Sequence, residues 1–153
     1  MADVVMNISL GEVKKYCKLD GGANDALIIV LLKSAGIEAD ATIRDHDDLA
    51  ALLAAANDEA DFTNYARKTV SSATITVDDT NNRVDIDIAD QTWTSAGGAT
   101  NNTLAALLVC YDPDTTAGTD SSIVPLTKHD FSVTTDGSDL TAQIAAAGFF
   151  RAS

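Results

Sequence analysis

Two histidines, two cysteines and two clusters of closely spaced aspartates are the side chains of this sequence that could do chemistry. His129 precedes Asp130, but neighbours in a strand point to opposite faces, so the pair does not make a His–Asp relay. His46 stands by itself in RDHDD, and no serine occupies a nucleophile elbow. Cys110 lies inside the apolar run TLAALLVCY, where a thiol has a raised pKa and low reactivity. Cys17 and Cys110 are far apart in the chain and belong to no CxxC or Cys/His metal pattern, so buried free thiols are expected. The residues compose no catalytic constellation, and the expectation is a protein that is not an enzyme.

The aspartates could serve as oxygen ligands. DPDTTAGTD sets Asp112, Asp114, Thr116 and Asp120 at alternating positions, as at the start of a calcium loop, but it lacks the sharp-turn Gly and the closing bidentate Glu. DDTNNRVDID offers Asp78, Asp79, Asn81 and Asp85 in a tight turn. In both places the expected role is a turn residue that bonds its own backbone, so no metal and no cofactor are expected. GGATNN and DGGAN lack the strand–GxGxxG–helix setting of a phosphate cradle. Arg67-Lys68, in NYARKTV, reads as a structural salt bridge rather than a ligand contact.

The elements that must position these residues alternate between two periods. Val5, Asn7 and Ser9 oppose Met6, Ile8 and Leu10, a strand or extended arm. Gly11 to Leu19 suits a short helix with Val13, Tyr16 and Cys17 on one face, ended by Gly21-Gly22. Ala26 to Leu32 reads as a fully buried strand, with a buried helix as its rival. Asp45 or Asp47 is expected to cap a helix through DLAALLAAANDEA, whose Leu49, Leu52, Leu53 and Ala56 form an apolar stripe. From Lys68 the period becomes two. ATITV and RVDIDIA make a hairpin with Val84, Ile86 and Ile88 inward and Arg83, Asp85 and Asp87 toward water. QTWT, a flexible SAGGATNN loop, TLAALLVCY, SSIVPL, HDFSV, LTAQIAAAG and FFRAS follow. The expected fold is mainly β, a β-sandwich or barrel of Greek-key or jelly-roll type, with one or two short helices in the N-terminal half. Residues 1–33 form an arm and first strand, 34–68 a helical connector, and 69–153 a β-domain that makes one compact unit with 26–68.

Composition narrows the function classes. At 153 residues the chain fits one domain, but only 5% are aromatic, so the core is light and stands to gain stability from neighbouring subunits. The net charge of −13 excludes nucleic acid and anionic membrane surfaces as natural partners. The charge is uneven. Four lysines balance four acids up to Lys33, whereas after Lys68 eleven acids face only Arg83, Lys128 and Arg151. One docking end and one solvated end follow from that asymmetry. MADVVMNISL has no basic n-region or long apolar stretch, and ALIIVLL is too short to span a bilayer.

NYARKTV, VDDTNNRVDIDIADQTW, LLVCYDPDTTAGTDSSIVPLTKHDFSVTTDG and GFFRAS, with ALIIVLL and ATIRDHDDLAALLAA before them, resemble the small virion-associated structural proteins of tailed bacteriophages. Among these the chain is most similar to a capsid decoration, or cement, protein. The resemblance implies a protein made in the bacterial cytoplasm and carried on the outer surface of the capsid. Its partners would be the major capsid protein and its own copies, a homotrimer being favoured. The arm residues Val4, Val5, Met6, Asn7, Ile8, Ser9 and Leu10 are the expected capsid contacts, and Phe149, Phe150 and Arg151 the expected core or inter-subunit packing. AAAGFF and TLAALLVCY are candidates for burial between copies around a symmetry axis. The alternative is a tail- or fibre-associated protein that binds host-surface carbohydrate, for which Trp93 and Tyr111 are the candidate stacking aromatics.

Overall fold

The computed structural model describes residues 2–153. In chain order its elements are β1 (Val4–Val5), α1 (Val13–Tyr16), β2 (Ala26–Lys33), α2 (Asp40–Ile43), α3 (Leu49–Ala54), β3 (Lys68–Val70), β4 (Thr74–Asp78), β5 (Arg83–Asp87), β6 (Gln91–Trp93), β7 (Thr103–Asp112), β8 (Val124–Thr134), β9 (Leu140–Ala142) and β10 (Phe150–Ala152). The fold is mainly β, with every named strand pair antiparallel. A five-stranded sheet runs β1-β8-β7-β2-β3, and two small sheets run β10-β5-β4 and β6-β9. The large sheet is open, with β1 and β3 at its edges, so the architecture is a sandwich rather than a closed barrel.

The unbroken apolar runs of β2 and β7 follow from cover on both faces. Leu27, Ile29, Leu31, Leu107 and Val109 point to one side, where Ile86, Ile88, Trp93 and Ala142 of the small-sheet layer meet them. Ile28, Val30, Leu32, Ala106, Leu108 and Cys110 point to the other, under Ile43, Leu49 and Leu52 of α2 and α3. A strand buried on both faces reads as continuous hydrophobicity, whereas β5, half-solvated, keeps its alternation. β2 is therefore the strand, not its rival helix. Each fully buried Leu contributes roughly 2 kcal/mol by the area it removes from water.

Several expectations need correction. The cap of α3 is Asp48, whose carboxylate accepts from Ala51 N–H (2.8 Å), not Asp45 or Asp47. The helix stops at Ala54, so Ala56 lies beyond the stripe and is exposed, while Leu49 and Leu52 are fully buried. The helix expected over Gly11–Leu19 is one turn, and Leu19 already has φ 51°. VPL of SSIVPL and all of HDFSV belong to one strand, β8, while Ser121 and Ser122 lie in a 3-10 turn before it. Pro125 sits at a shift of register opposite Cys110, where a missing N–H is tolerated. The SAGGATNN loop is anchored, through Ala96 N–H to the Ser138 carbonyl (2.8 Å) and Gly97 N–H to that of Thr63 (2.9 Å).

The arm is part of the same body as the rest. Met6 is buried in the helix-side core, and Val13 and Cys17 in the other, so the segment wraps the β1 edge. β2 pairs with β7 along its whole length. β7, in mid-sheet and covered on both sides, has no face left for a neighbouring copy, which corrects the expectation that TLAALLVCY packs between subunits.

Candidate functional site

Val4 and Val5 of the expected arm contacts meet Phe149, Phe150 and Arg151, the expected packing residues, in one place. β1 is an edge of the large sheet and β10 an edge of the three-stranded sheet. A cleft of about 180 Å³ lies between them, lined by Val4, Val5, His129, Phe149, Phe150 and Arg151 among others. A neighbouring cleft of about 250 Å³ shares His129 and Phe149 and reaches Leu107 and Ile144.

Each wall is fixed locally. Val4 and Val5 pair with Lys128 and Thr127 of β8, and Met6 N–H donates to the Leu126 carbonyl (3.0 Å). Ser9 Oγ, fully buried, lies between the carbonyls of Leu126 (2.8 Å) and Met6 (3.0 Å). Lys128 is also fully buried. Its ammonium donates to the Ala2 carbonyl (2.8 Å) and pairs with Asp40 and Asp130 (both 3.0 Å), while Ala2 N–H donates to Asp40 Oδ2 (2.6 Å). Asp3 accepts from Asp130 N–H (2.8 Å) and faces His129 Nδ1 (3.3 Å). Burial alone would raise the Asp3 pKa, but that N–H and His129 outweigh it and hold the carboxyl below its usual range.

On the other wall, Gly148 has φ 85°, and a Cβ there would lie 2.1 Å from the Ile86 carbonyl oxygen, so only glycine can turn the chain into β10. Phe149 N–H then donates to that carbonyl (2.9 Å), and its ring meets His129 edge-on at 6.1 Å. Phe150 and Arg151 pair with Ile86 and Asp85 of β5, and Arg151 Nε donates to Asp85 Oδ1 (2.6 Å). Asp85 therefore faces two arginines, Arg83 and Arg151, rather than open water.

Not all of the arm is available for contact. Met6 and Ser9 are fully buried: the expected strand stops at Val5, Asn7–Ser9 is a 3-10 turn, and its three-residue period with the Ser9 hydrogen bonds turns both side chains into the fold. They are removed from the expected capsid contacts. Asn7, Ile8 and Leu10 are exposed but do not line the cleft, and Asn7 bonds to Asp45. Phe149 and Phe150 are half-buried against the core, and Arg151 is exposed.

The chemistry-bearing side chains elsewhere are engaged. Arg67 forks onto Glu59 (2.8 and 2.7 Å) and onto Asp120 (2.5 and 2.9 Å), which pushes its pKa up and takes Asp120 out of the candidate metal loop. The Asp112 and Asp114 carboxylates accept from Asp114 and Thr116 N–H (both 3.0 Å), as turn residues do. Asp78 likewise accepts from Thr80 and Asn81 N–H. No three His, Cys, Asp or Glu side chains converge as metal ligands among the described residues. Both cysteines are free and buried, and burial pushes the Cys17 thiol up to about 12 and that of Cys110 up as well. His46 Nε2 is held by Glu38 (2.7 Å). Trp93 and Tyr111 are core residues. The indole N–H donates to the Ala66 carbonyl (2.8 Å) and the Tyr111 ring packs on Tyr16, so neither offers a face to a sugar.

The Lys128 cluster is the feature that sequence reasoning missed. Its signal was weak: Lys128 is the sole lysine after Lys68, and the register shift in β8 turns it toward the helix side, opposite Leu108, while Leu126 faces the other core. The chain matches no protein-family model, no curated protein and no solved structure.

Proposed function

We propose that this chain is a structural virion protein that binds the outside of a bacteriophage capsid and decorates or stabilises it. Its partner is the major capsid protein, which lays an extended segment into the cleft between β1 and β10. The observation that carries this reading is the convergence of Val4 and Val5 with Phe149, Phe150 and Arg151 at one cleft between two sheet edges. An edge strand offers backbone groups to an added strand, and half-buried aromatics give that strand side-chain pockets. Because Met6 N–H is used by Leu126, alternation turns Val5 N–H away from β8 and toward a partner. The resemblance to phage decoration proteins supports the virion assignment. The engagement of Arg67, Asp120, His46 and both cysteines in the fold agrees with a role in assembly rather than in turnover. A protein of this kind stabilises the shell by mass action, through preference for the assembled lattice over free subunits.

Immunogold labelling of intact particles tests the location, with label spread over the head as the expected result. Label confined to the tail would replace this reading with that of a tail- or fibre-associated protein. Val5→Pro tests the cleft, because it removes the outward N–H and leaves the β1–β8 bonds in place. Co-sedimentation with capsids is expected to weaken about tenfold or more, and unchanged binding would move docking elsewhere.

A further inference from the structure

Three large apolar side chains are exposed among the described residues: Ile8 (40%), Leu10 (59%) and Val77 (56%). Their surroundings carry opposite charge. Ile8 and Leu10 project from the turn that follows β1, and Lys14, Lys15 and Lys18 come shortly after them against the single acid Glu12, which pairs with Lys15 (3.0 Å) and leaves the patch a net excess of cations. Val77 stands on β4, the edge of the three-stranded sheet, next to Asp78 and Asp79. It opens onto a shallow cleft of about 300 Å³ that Val84 and Ala152 also line, with Arg83 at its rim pairing with Asp78 (3.3 Å) and Asp79 open to solvent. One surface is thus an apolar knob beside lysines, and the other an apolar hollow rimmed by aspartates.

We propose that Leu10 of one copy seats in the Val77 cleft of a second copy, with Lys14 and Lys15 facing Asp78 and Asp79. The inference rests on the reading of the chain as an assembly protein, and it leaves the β1–β10 cleft free for the shell. Charge selects the occupant. A chain of net charge −13 repels its own copies except where cations are concentrated, and residues 14–18 are such a place. Knob and hollow are different surfaces, so the contact is head-to-tail. It closes into a ring in which every Leu10 and every Val77 cleft is used, or it propagates.

Sedimentation equilibrium of the full chain tests this at concentrations up to about 100 μM. The native chain is expected to self-associate, less strongly as salt rises. Leu10→Asp and Val77→Asp change exposed side chains, and each alone is expected to leave a folded monomer, with the dissociation constant raised about a hundredfold. An equal mixture of the two is the decisive sample. The intact Leu10 of one variant meets the intact cleft of the other, so the mixture gives a one-to-one dimer and nothing larger. Lys14→Glu with Lys15→Glu is expected to abolish association without altering the circular dichroism spectrum. A native chain that stays monomeric, a single variant that associates like the native chain, or a mixture that stays monomeric or exceeds the dimer would each overturn the proposal. Val5→Pro is expected to leave self-association unchanged, so failure here and failure of capsid binding are read separately.

Discussion

Lys128 and Arg67 are both cations held between two carboxylates, but one is fully buried, the other partly exposed, and they join different parts of the chain. Lys128 is fully buried and gathers oxygens from three segments: the Ala2 carbonyl, Asp40 at the start of α2, and Asp130 on its own strand. The Arg67 side chain is 27% exposed and ties Glu59 to Asp120 with paired, fork-like bonds. A compact ammonium with three rotatable donors suits oxygens that converge from different directions, whereas a planar guanidinium suits carboxylates that lie along its edges. The first clamp fixes the arm and, with it, the β1 wall of the cleft. The second fixes the end of the DPDTTAGTD loop to the segment that leads into β3. The arm is therefore a fitted part of the fold rather than a tether, although it ends in exposed Ile8 and Leu10.

The largest effect is expected at the buried clamp. Lys128→Met removes a fully buried cation that pairs with Asp40 and Asp130, and loss of one member of a buried ion cluster costs about 3 kcal/mol. Urea unfolding measures the loss, and trypsin should then cut at Lys14, Lys15 or Lys18 before the sheet unfolds. A change near zero, with the arm still protected, would mean that Val4–Val5 pairing and Met6 burial hold the arm unaided. Arg67→Ala comes next, at about 2 kcal/mol, because the guanidinium is itself partly solvated whereas the Lys128 ammonium is fully buried. The arm should stay protected in this variant, which separates the two clamps.

Exchanging the cations probes shape alone. Lys128→Arg puts a larger head into a filled site, and overpacking of this kind costs about 1–3 kcal/mol. Arg67→Lys keeps the charge but gives up the fork, for about 1 kcal/mol. If either exchange were neutral, charge without geometry would account for that clamp.

What was legible in the sequence follows the same divide between local and convergent features. β2, β7 and the β4–β5 hairpin could be read because an apolar run or a strict alternation is a property of adjacent residues. The clamps could not, because their partners lie 53 residues away for Arg67–Asp120 and 126 for Lys128–Ala2. Arg67 was readable as a structural ion pair but not its partner, which is why Asp120 looked like a metal ligand. β8 was split in two because polar Thr127 and Lys128 interrupt the apolar pattern, and only their pairing with Val109 and Leu108 shows that the strand continues. Val4, Val5, Phe149, Phe150 and Arg151 could be singled out one by one, but their meeting at one cleft depends on β1 and β10 as neighbouring edges, which no local pattern encodes.

Acid titration gives the smallest difference and the sharpest distinction between the clamps. The Asp120 carboxyl is held below its usual range first by the hydrogen bonds of Arg67. The Asp40 carboxyl is also lowered, but there the first cause is Ala2 N–H and Lys128 comes second. A carboxyl depressed in the folded state contributes stability that is fully present above its unfolded pKa, near about 3.9, and is lost as pH falls through the lower folded value. In Arg67→Ala the Asp120 contribution is already gone at neutral pH. Its stability gap to the native chain should therefore narrow steadily below about pH 4. In Lys128→Met the Ala2 N–H still favours ionised Asp40, so part of the acid-dependent loss should survive as long as the arm stays docked. Urea midpoints across that pH range decide between them. Parallel profiles in the two variants would mean that the arm leaves with Lys128, and that the ammonium rather than the β1 pairing is what keeps the β1 wall of the cleft in place.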